Sequence, residues 1–236
     1  MNDLRKTITS EINLNTLAKT IYDESIQMGF KSNDYVKLMN QILEMTISDK
    51  NKDEEGDADI FSVFEEISDL PIQTKHLTIR LYNPKTDKKI ISNWFNEENN
   101  KLFLVSTTRK QNLNIDNFIT DEKNIFATIT LKDNSPIGLL AILNIDKENS
   151  KGEMRKMIGE VNQRGKGYAT EATKYWLKYC TDFIGLKKIY INTIETNIKN
   201  ITLNRKLGFK VEGLLKREII FDNIEQDVLL MAYFKE

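Results

Sequence analysis

Apolar residues return at intervals of three and four through the first part of the chain: Leu14, Leu17, Ala18 and Ile21, then Leu38, Met39, Ile42 and Leu43. That spacing gathers each set on one face of a helix. Gly29 falls where the first helix should stop, and Ser32 or Asn33 stands where the second should be capped. The run from Asp49 to Asp59 is polar, rich in acid and without period, and reads as an exposed linker. Ile60, Phe61, Val63, Phe64 and Ile67 form a third amphipathic segment before Leu70-Pro71 breaks it. Residues 1–70 are therefore predicted to be a small all-helical accessory domain with an acidic linker near 49–59. A domain of that size is small for an independent core. Its apolar stripe calls for a neighbour: the rest of the chain, a second copy in a homodimer, or a partner protein.

From Leu77 the period changes to two. Leu77–Leu81 alternates as a strand, Pro84 starts a turn, and Ile90, Trp94 and Phe95 mark a short helix over Lys89–Asn96. Two strands, Ile125–Leu131 and Ile137–Leu143, are joined through the turn residues Asp133-Asn-Ser-Pro136. Further strands are expected at Glu153–Val161, at Lys188–Ile194 and from Ile219 onward, with helices over Ala169–Ile184 and near Asn197–Leu207. Residues 76–236 thus read as an α+β domain whose mixed, mostly antiparallel central sheet is flanked by helices.

Between one of these strands and its helix lies Gln163-Arg-Gly-Lys-Gly-Tyr-Ala-Thr170. Glycine at 165 and 167 lets the backbone turn tightly with its amides uncovered, and the opening helix adds unpaired N–H groups and the positive end of its dipole. Such a corner suits phosphate or pyrophosphate oxygens. A dinucleotide fingerprint would need a third glycine and a strand-end acid about twenty residues on, and both are missing. The spacing also excludes a Walker loop. Further along, Asn197, Asn200 and Asn204 share one helical stripe with Ile201. Asparagine is a poor helix former, so packing alone would not select that stripe. Asn197 also suits an N-cap.

Composition narrows the classes. The chain has 236 residues, 40% hydrophobic and 29% charged, with a formal net charge of −1. It has no overall electrostatic pull toward nucleic acid or an anionic membrane. It begins without an apolar leader-like region, and no run approaches about eighteen apolar residues, so a cytoplasmic location is expected. Its one cysteine, Cys180, cannot form an internal disulfide and falls on an apolar helical stripe, and its one histidine, His76, has no neighbouring ligand pattern. No metal is expected.

The order strand, Arg164-x-x-Gly167-x-Ala169, helix, strand, Asn197 and then Lys206-Leu-Gly-Phe209 resembles the GNAT superfamily of N-acetyltransferases, in the branch of ribosomal-protein, polyamine and bacterial amino-sugar acetyltransferases. The likeness runs from Leu77 to Glu236 and is strongest from Gly152. Gly213-Leu-Leu-Lys-Arg-Glu218 with Asp227-Val-Leu-Leu-Met231 looks like the closing hairpin of that branch. The resemblance implies acetyl-CoA as cosubstrate. Its pyrophosphate would lie on the backbone of Arg164, Gly165, Lys166, Gly167, Tyr168, Ala169 and Thr170, and its pantetheine along the strand edge ending near Val161. Asn197 and Asn200 would contact the coenzyme, and Lys206 would reach its ribose phosphate.

A tyrosine often stands in the family where this chain has Asn204, and is proposed there to protonate the departing sulfur. An amide can hydrogen-bond that sulfur but is no acid. A thiol near pKa 8.5 leaves tolerably as its anion, so the expectation is slower chemistry rather than none. The resemblance also implies a base: Glu153 matches the position of a glutamate that activates the amine through water; Glu160 is the alternative, and a third possibility, that neither carboxylate serves, stays open. The expected activity is acetyl transfer to the primary amine of a small molecule, for instance an amino-sugar nucleotide, by direct attack in a ternary complex. A non-catalytic acyl-CoA-binding module with a partner-docking helical domain, and a protein N-acetyltransferase, are the alternatives.

Overall fold

The computed structural model describes residues 16–48, 69–96, 119, 121–194, 197–221 and 223–235. By internal packing the chain divides into two units, Met1–Glu54 and Glu55–Glu236. In the first, helix α1 (residues 16–27) ends at Gly29, whose φ of +80° is the left-handed conformation a helix stop requires. Phe30 N–H donates to the Ser25 carbonyl and Gly29 N–H to that of Ile26, each at 3.0 Å. Helix α2 (Ser32–Ser48) follows. Ser32 and Asn33 lie within it, so neither is its N-cap; instead the Asp34 carboxylate reaches back to accept from Lys31 N–H at 2.9 Å. The linker of residues 49–59 and the segment Ile60 to Ile67 lie outside the described residues.

The second unit holds an eight-stranded sheet in the order β1-β2-β3-β4-β5-β6-β8-β7. Its strands are β1 (Ile72–Gln73), β2 (Leu77–Leu81), β3 (Ile125–Leu131), β4 (Pro136–Asp146), β5 (Lys151–Ile158), β6 (Lys188–Ile194), β7 (Lys210–Phe221) and β8 (Ile224–Phe234). Every neighbouring pair is antiparallel except β5 and β6. The architecture is the α+β, mostly antiparallel sheet with helices that the periodicity predicts.

Several boundaries differ, each for a local reason. Pro84 opens helix α3 (Pro84–Asn96) rather than a turn: proline lacks the N–H that a first helical position leaves unpaired, and Asn83 Oδ1 accepts from Lys85 N–H at 3.0 Å. β5 stops at Ile158, short of Val161, because Val161–Gln163 is a 3₁₀ turn. Helix α4 (Tyr168–Lys178) gives way to one π turn, Tyr179–Phe183. β7 starts at Lys210, well before Ile219, and its register against β8 shifts twice. Charged side chains and a glycine in that stretch hide the alternation. Helix α5 (Ile198–Lys206) completes the set.

One core cluster packs α3 on the sheet through Ile91, Trp94, Phe126, Leu139, Ala141 and Leu143. Trp176 of α4 is fully buried and donates its indole N–H to the Ala141 carbonyl at 3.3 Å. Cys180 is buried and reduced, and burial pushes its thiol pKa well up. Among the described residues no helix is long and apolar enough to cross a membrane.

Candidate active site

β5 and β6 run parallel and pair at Lys151 with Lys188, Gly152 with Ile189 and Glu153 with Tyr190, and there the pairing ends although both strands continue. The sheet opens between them. A parted strand edge exposes N–H and C=O groups that an extended ligand can pair with. The opening leads along β5 into the glycine turn.

In that turn Gly165 and Gly167 have φ of +77° and +83°, and no atom lies within 4 Å of where a Cβ on either would stand. Gly167 is the N-cap of α4 without a side-chain capping bond, and the first intrahelical bond runs from Glu171 N–H to the Gly167 carbonyl at 3.0 Å. The amides of Tyr168, Ala169 and Thr170 therefore precede the helical ladder, at its positive end. Glu171 fixes this corner to the sheet edge: its carboxylate accepts from Thr74 Oγ1 at 2.6 Å and His76 N–H at 2.8 Å, and meets His76 Nδ1 at 2.8 Å.

Arg164 is turned back on its own strand, donating Nε–H to the Ile158 carbonyl at 3.0 Å and Nη2–H to that of Gly159 at 3.2 Å. Its fork staples the turn to the end of β5. Lys166 stays at the surface and donates to Gln163 Oε1 at 2.9 Å, and Val161 is exposed. On α5, Asn197 is the N-cap and accepts from Asn200 N–H at 3.3 Å, while Asn200 Nδ2 donates to Thr193 Oγ1 at 3.1 Å. Asn197 thus caps α5, and Asn200 ties it to β6. Lys206 is exposed at the end of α5. Asn204 is fully buried, and its Nδ2 has no partner among the described residues.

The two carboxylates are both engaged. Glu153 is buried beside Arg155, which donates Nη2–H to it and Nη1–H to the Asn192 carbonyl at 3.1 Å; the amides of Asn144 and Asn192 also donate to Glu153, at 3.2 and 3.3 Å. This cluster bridges β5 and β6 just past their last backbone pair. Glu160 accepts from the Trp94 indole N–H at 2.9 Å.

Sequence reading passed over Lys156. It shares a face of β5 with Met154 and Ile158, and its Nζ donates to Asn204 Oδ1 of α5. Burial, and then the adjacent Arg155 guanidinium, bring its ammonium down to a pKa of about 7. The signal available in advance was a lysine between two apolar residues on one strand face.

The sequence profile described as the acetyltransferase (GNAT) domain matches residues 76–210, more than half of the chain. The chain belongs to the GNAT acetyltransferase family. Within that family it is similar to the spermidine N(1)-acetyltransferase of Escherichia coli, with 32% identity over 103 residues, 44% of this chain and 55% of that protein. The chain thus spans about half the length of this curated relative. An uncharacterized N-acetyltransferase of Bacillus licheniformis, p20, is 27% identical over 152 residues, covering 61% of this chain and 85% of p20. Among solved structures, spermidine N-acetyltransferase from Vibrio cholerae in complex with CoA and spermine superposes with a TM-score of 0.59 at 24% identity, over 67% of this chain and 95% of that one. That likeness carries the GNAT fold.

Proposed function

We propose that this GNAT chain transfers the acetyl group of acetyl-CoA to a primary amine of a small molecule, by direct attack in a ternary complex. The observation that carries the proposal is the parting of β5 from β6 beyond Glu153 and Tyr190, leading into a turn whose glycines leave backbone amides uncovered. The residues fit the cosubstrate: space stands open at Gly165 and Gly167, three amides precede the α4 ladder, and a buried donor, Asn204 Nδ2, is unmatched among the described residues. The amides of Tyr168, Ala169 and Thr170 would hold the pyrophosphate, the β5 edge would pair with pantetheine, and Lys206 would lie toward the ribose phosphate. Arg164 we assign to shaping the turn, since its guanidinium is taken up by strand carbonyls. Glu153, ion-paired and surrounded by amide donors, we assign to holding Arg155 and the β5–β6 junction rather than to proton removal.

The relatives named as spermidine acetyltransferases support a polyamine as the first acceptor, ahead of the amino-sugar nucleotide that sequence reading favoured. The helices of residues 1–70 would serve as an accessory domain. α1, α2 and the turn between them keep Leu17, Ile26, Met28, Ile42 and Met45 exposed, which supports a role in meeting a partner protein or a second copy.

The test is incubation with acetyl-CoA and, separately, spermidine and an amino-sugar nucleotide, followed by thiol release and product mass. Acetylated spermidine is the expected product. Calorimetry that detects no uptake of coenzyme A would overturn the proposal; uptake without thiol release for any amine would favour the binding-module alternative.

A further inference from the structure

From the apposition of β5 and α5 we infer that Lys156, held by Asn204, is the acid that protonates the sulfur leaving during acetyl transfer. This rests on the acetyltransferase reading above. The two residues lie on different elements, 48 positions apart, and their side chains meet where β5 has separated from β6. Lys156 Nζ donates to Asn204 Oδ1, and the other end of that buried amide, Nδ2, has no partner among the described residues. The asparagine therefore both orients the ammonium and leaves a donor of its own beside it. Asn204 is a positioning residue here, and Lys156 the catalytic one.

The chemistry balances. The acceptor nitrogen, arriving as a neutral amine, bonds to the acetyl carbon, and the carbon–sulfur bond breaks with its electron pair on sulfur. Sulfur takes a proton from Lys156 Nζ, leaving a neutral amine there. The attacking nitrogen sheds one proton to water, and water returns one to Nζ. An ammonium near pKa 7 gives its proton downhill to a thiolate whose conjugate acid is near 8.5. An unperturbed lysine, near 10.4, would not. The surroundings of Nζ explain the poise: burial disfavours the charge first, the neighbouring Arg155 repels it from the other strand face, Leu140 stands opposite on β4, and α5 offers the neutral Asn204 amide. Glu153, on the opposite strand face, is taken up by Arg155.

The sign follows from which form is the acid. Protonated Lys156 is present below its pKa and is lost as pH rises through about 7. The experiment is the single-turnover rate of acetyl-CoA consumption with spermidine against pH, for the full chain and for Lys156→Met, Lys156→Arg and Asn204→Asp. The wild-type rate should lose ground above neutrality relative to the rise set by amine deprotonation. Lys156→Met and Lys156→Arg should each slow the step by about 100-fold and abolish that inflection, since arginine keeps the charge but not a useful pKa. Coenzyme affinity by calorimetry should change by no more than about 3-fold in Lys156→Arg, less than one tenfold step of binding energy. Asn204→Asp should move the inflection to higher pH, because a carboxylate there favours the charged lysine. A merely structural lysine would produce no such movement. Unchanged rate and profile in Lys156→Met, or an acetyl group found on Lys156 itself, would overturn this inference alone. No thiol release by the wild-type chain with any amine would overturn the acetyltransferase reading and this inference with it.

Discussion

The Trp94 indole of α3 donates to the Glu160 carboxylate at 2.9 Å, and its ring fills the place a side chain on Gly159 would take, with Cδ2 only 2.1 Å from the ideal Cβ position. One aromatic side chain thereby fixes both residues that lead out of β5 toward the glycine turn. Gly159→Ala should force Trp94 aside and lower stability by about 1–3 kcal/mol, the usual cost of overpacking. Thermal denaturation reads the loss. Because Glu160 moves with the indole, coenzyme affinity should weaken as well. An unshifted melting temperature would show that the ring yields without strain.

Gly167→Ala probes the turn itself. At φ +83° an L-residue should cost about 1–2 kcal/mol, although nothing stands within 4 Å of the new methyl. Gly213→Ala, also with open space but without positive φ, is the control and should stay within about 0.5 kcal/mol. Coenzyme A calorimetry should report weaker binding for the first variant and unchanged binding for the second. Equal affinity in both would remove the turn from the binding surface.

Asp87 is fully buried and takes a bidentate guanidinium from Arg80, 2.7 Å at each contact, plus Asn83 N–H at 2.9 Å and the hydroxyls of Thr86 and Thr128 at 2.9 and 2.8 Å. Burial alone would raise its pKa, but Arg80 and these donors outweigh it and hold the carboxyl at about 2. A depressed carboxylate stabilises the fold above its unfolded value, near 3.9, and that contribution is lost as pH falls through about 2. Asp87→Ala should cost about 3–5 kcal/mol at neutral pH by leaving Arg80 unpaired, and should flatten the acid limb of stability between those values. Urea denaturation at stepped pH measures both.

Glu153→Gln separates a base from a buried ion-pair partner. With Arg155 left beside a neutral amide, stability should fall by about 3 kcal/mol or more. The rising, amine-deprotonation limb of the rate–pH profile should keep its position. A limb displaced or abolished in this variant, with the fold intact by circular dichroism, would return Glu153 to the role of base.

Period and turn chemistry made most elements legible in advance. Leu77–Leu81, Ile125–Leu131 and Lys188–Ile194 lie where alternation puts them, and Gly29 ends α1, because these depend on backbone conformation over a few residues. Boundaries went astray where a local rule met an unusual context: proline beginning a helix at 84, the 3₁₀ turn after Ile158, and a long β7 whose charged stretch has no alternation. The tight turn at Gly165 and Gly167 was legible for the same local reason, since positive φ is set by the glycines themselves.

Tertiary structure alone decided what the site's side chains do. Arg164 bends onto the carbonyls of Ile158 and Gly159, Glu153 is claimed by Arg155, and Lys156 of β5 meets Asn204 of α5. Each outcome depends on what an element packs against and on how far burial raises the cost of charge, and neither quantity resides in a stretch of chain. Sequence by itself determined the strands, the helices and the glycine corner through neighbouring-residue sterics. Contacts between residues distant in the chain decided which lysine would be half-buried and set beside an amide.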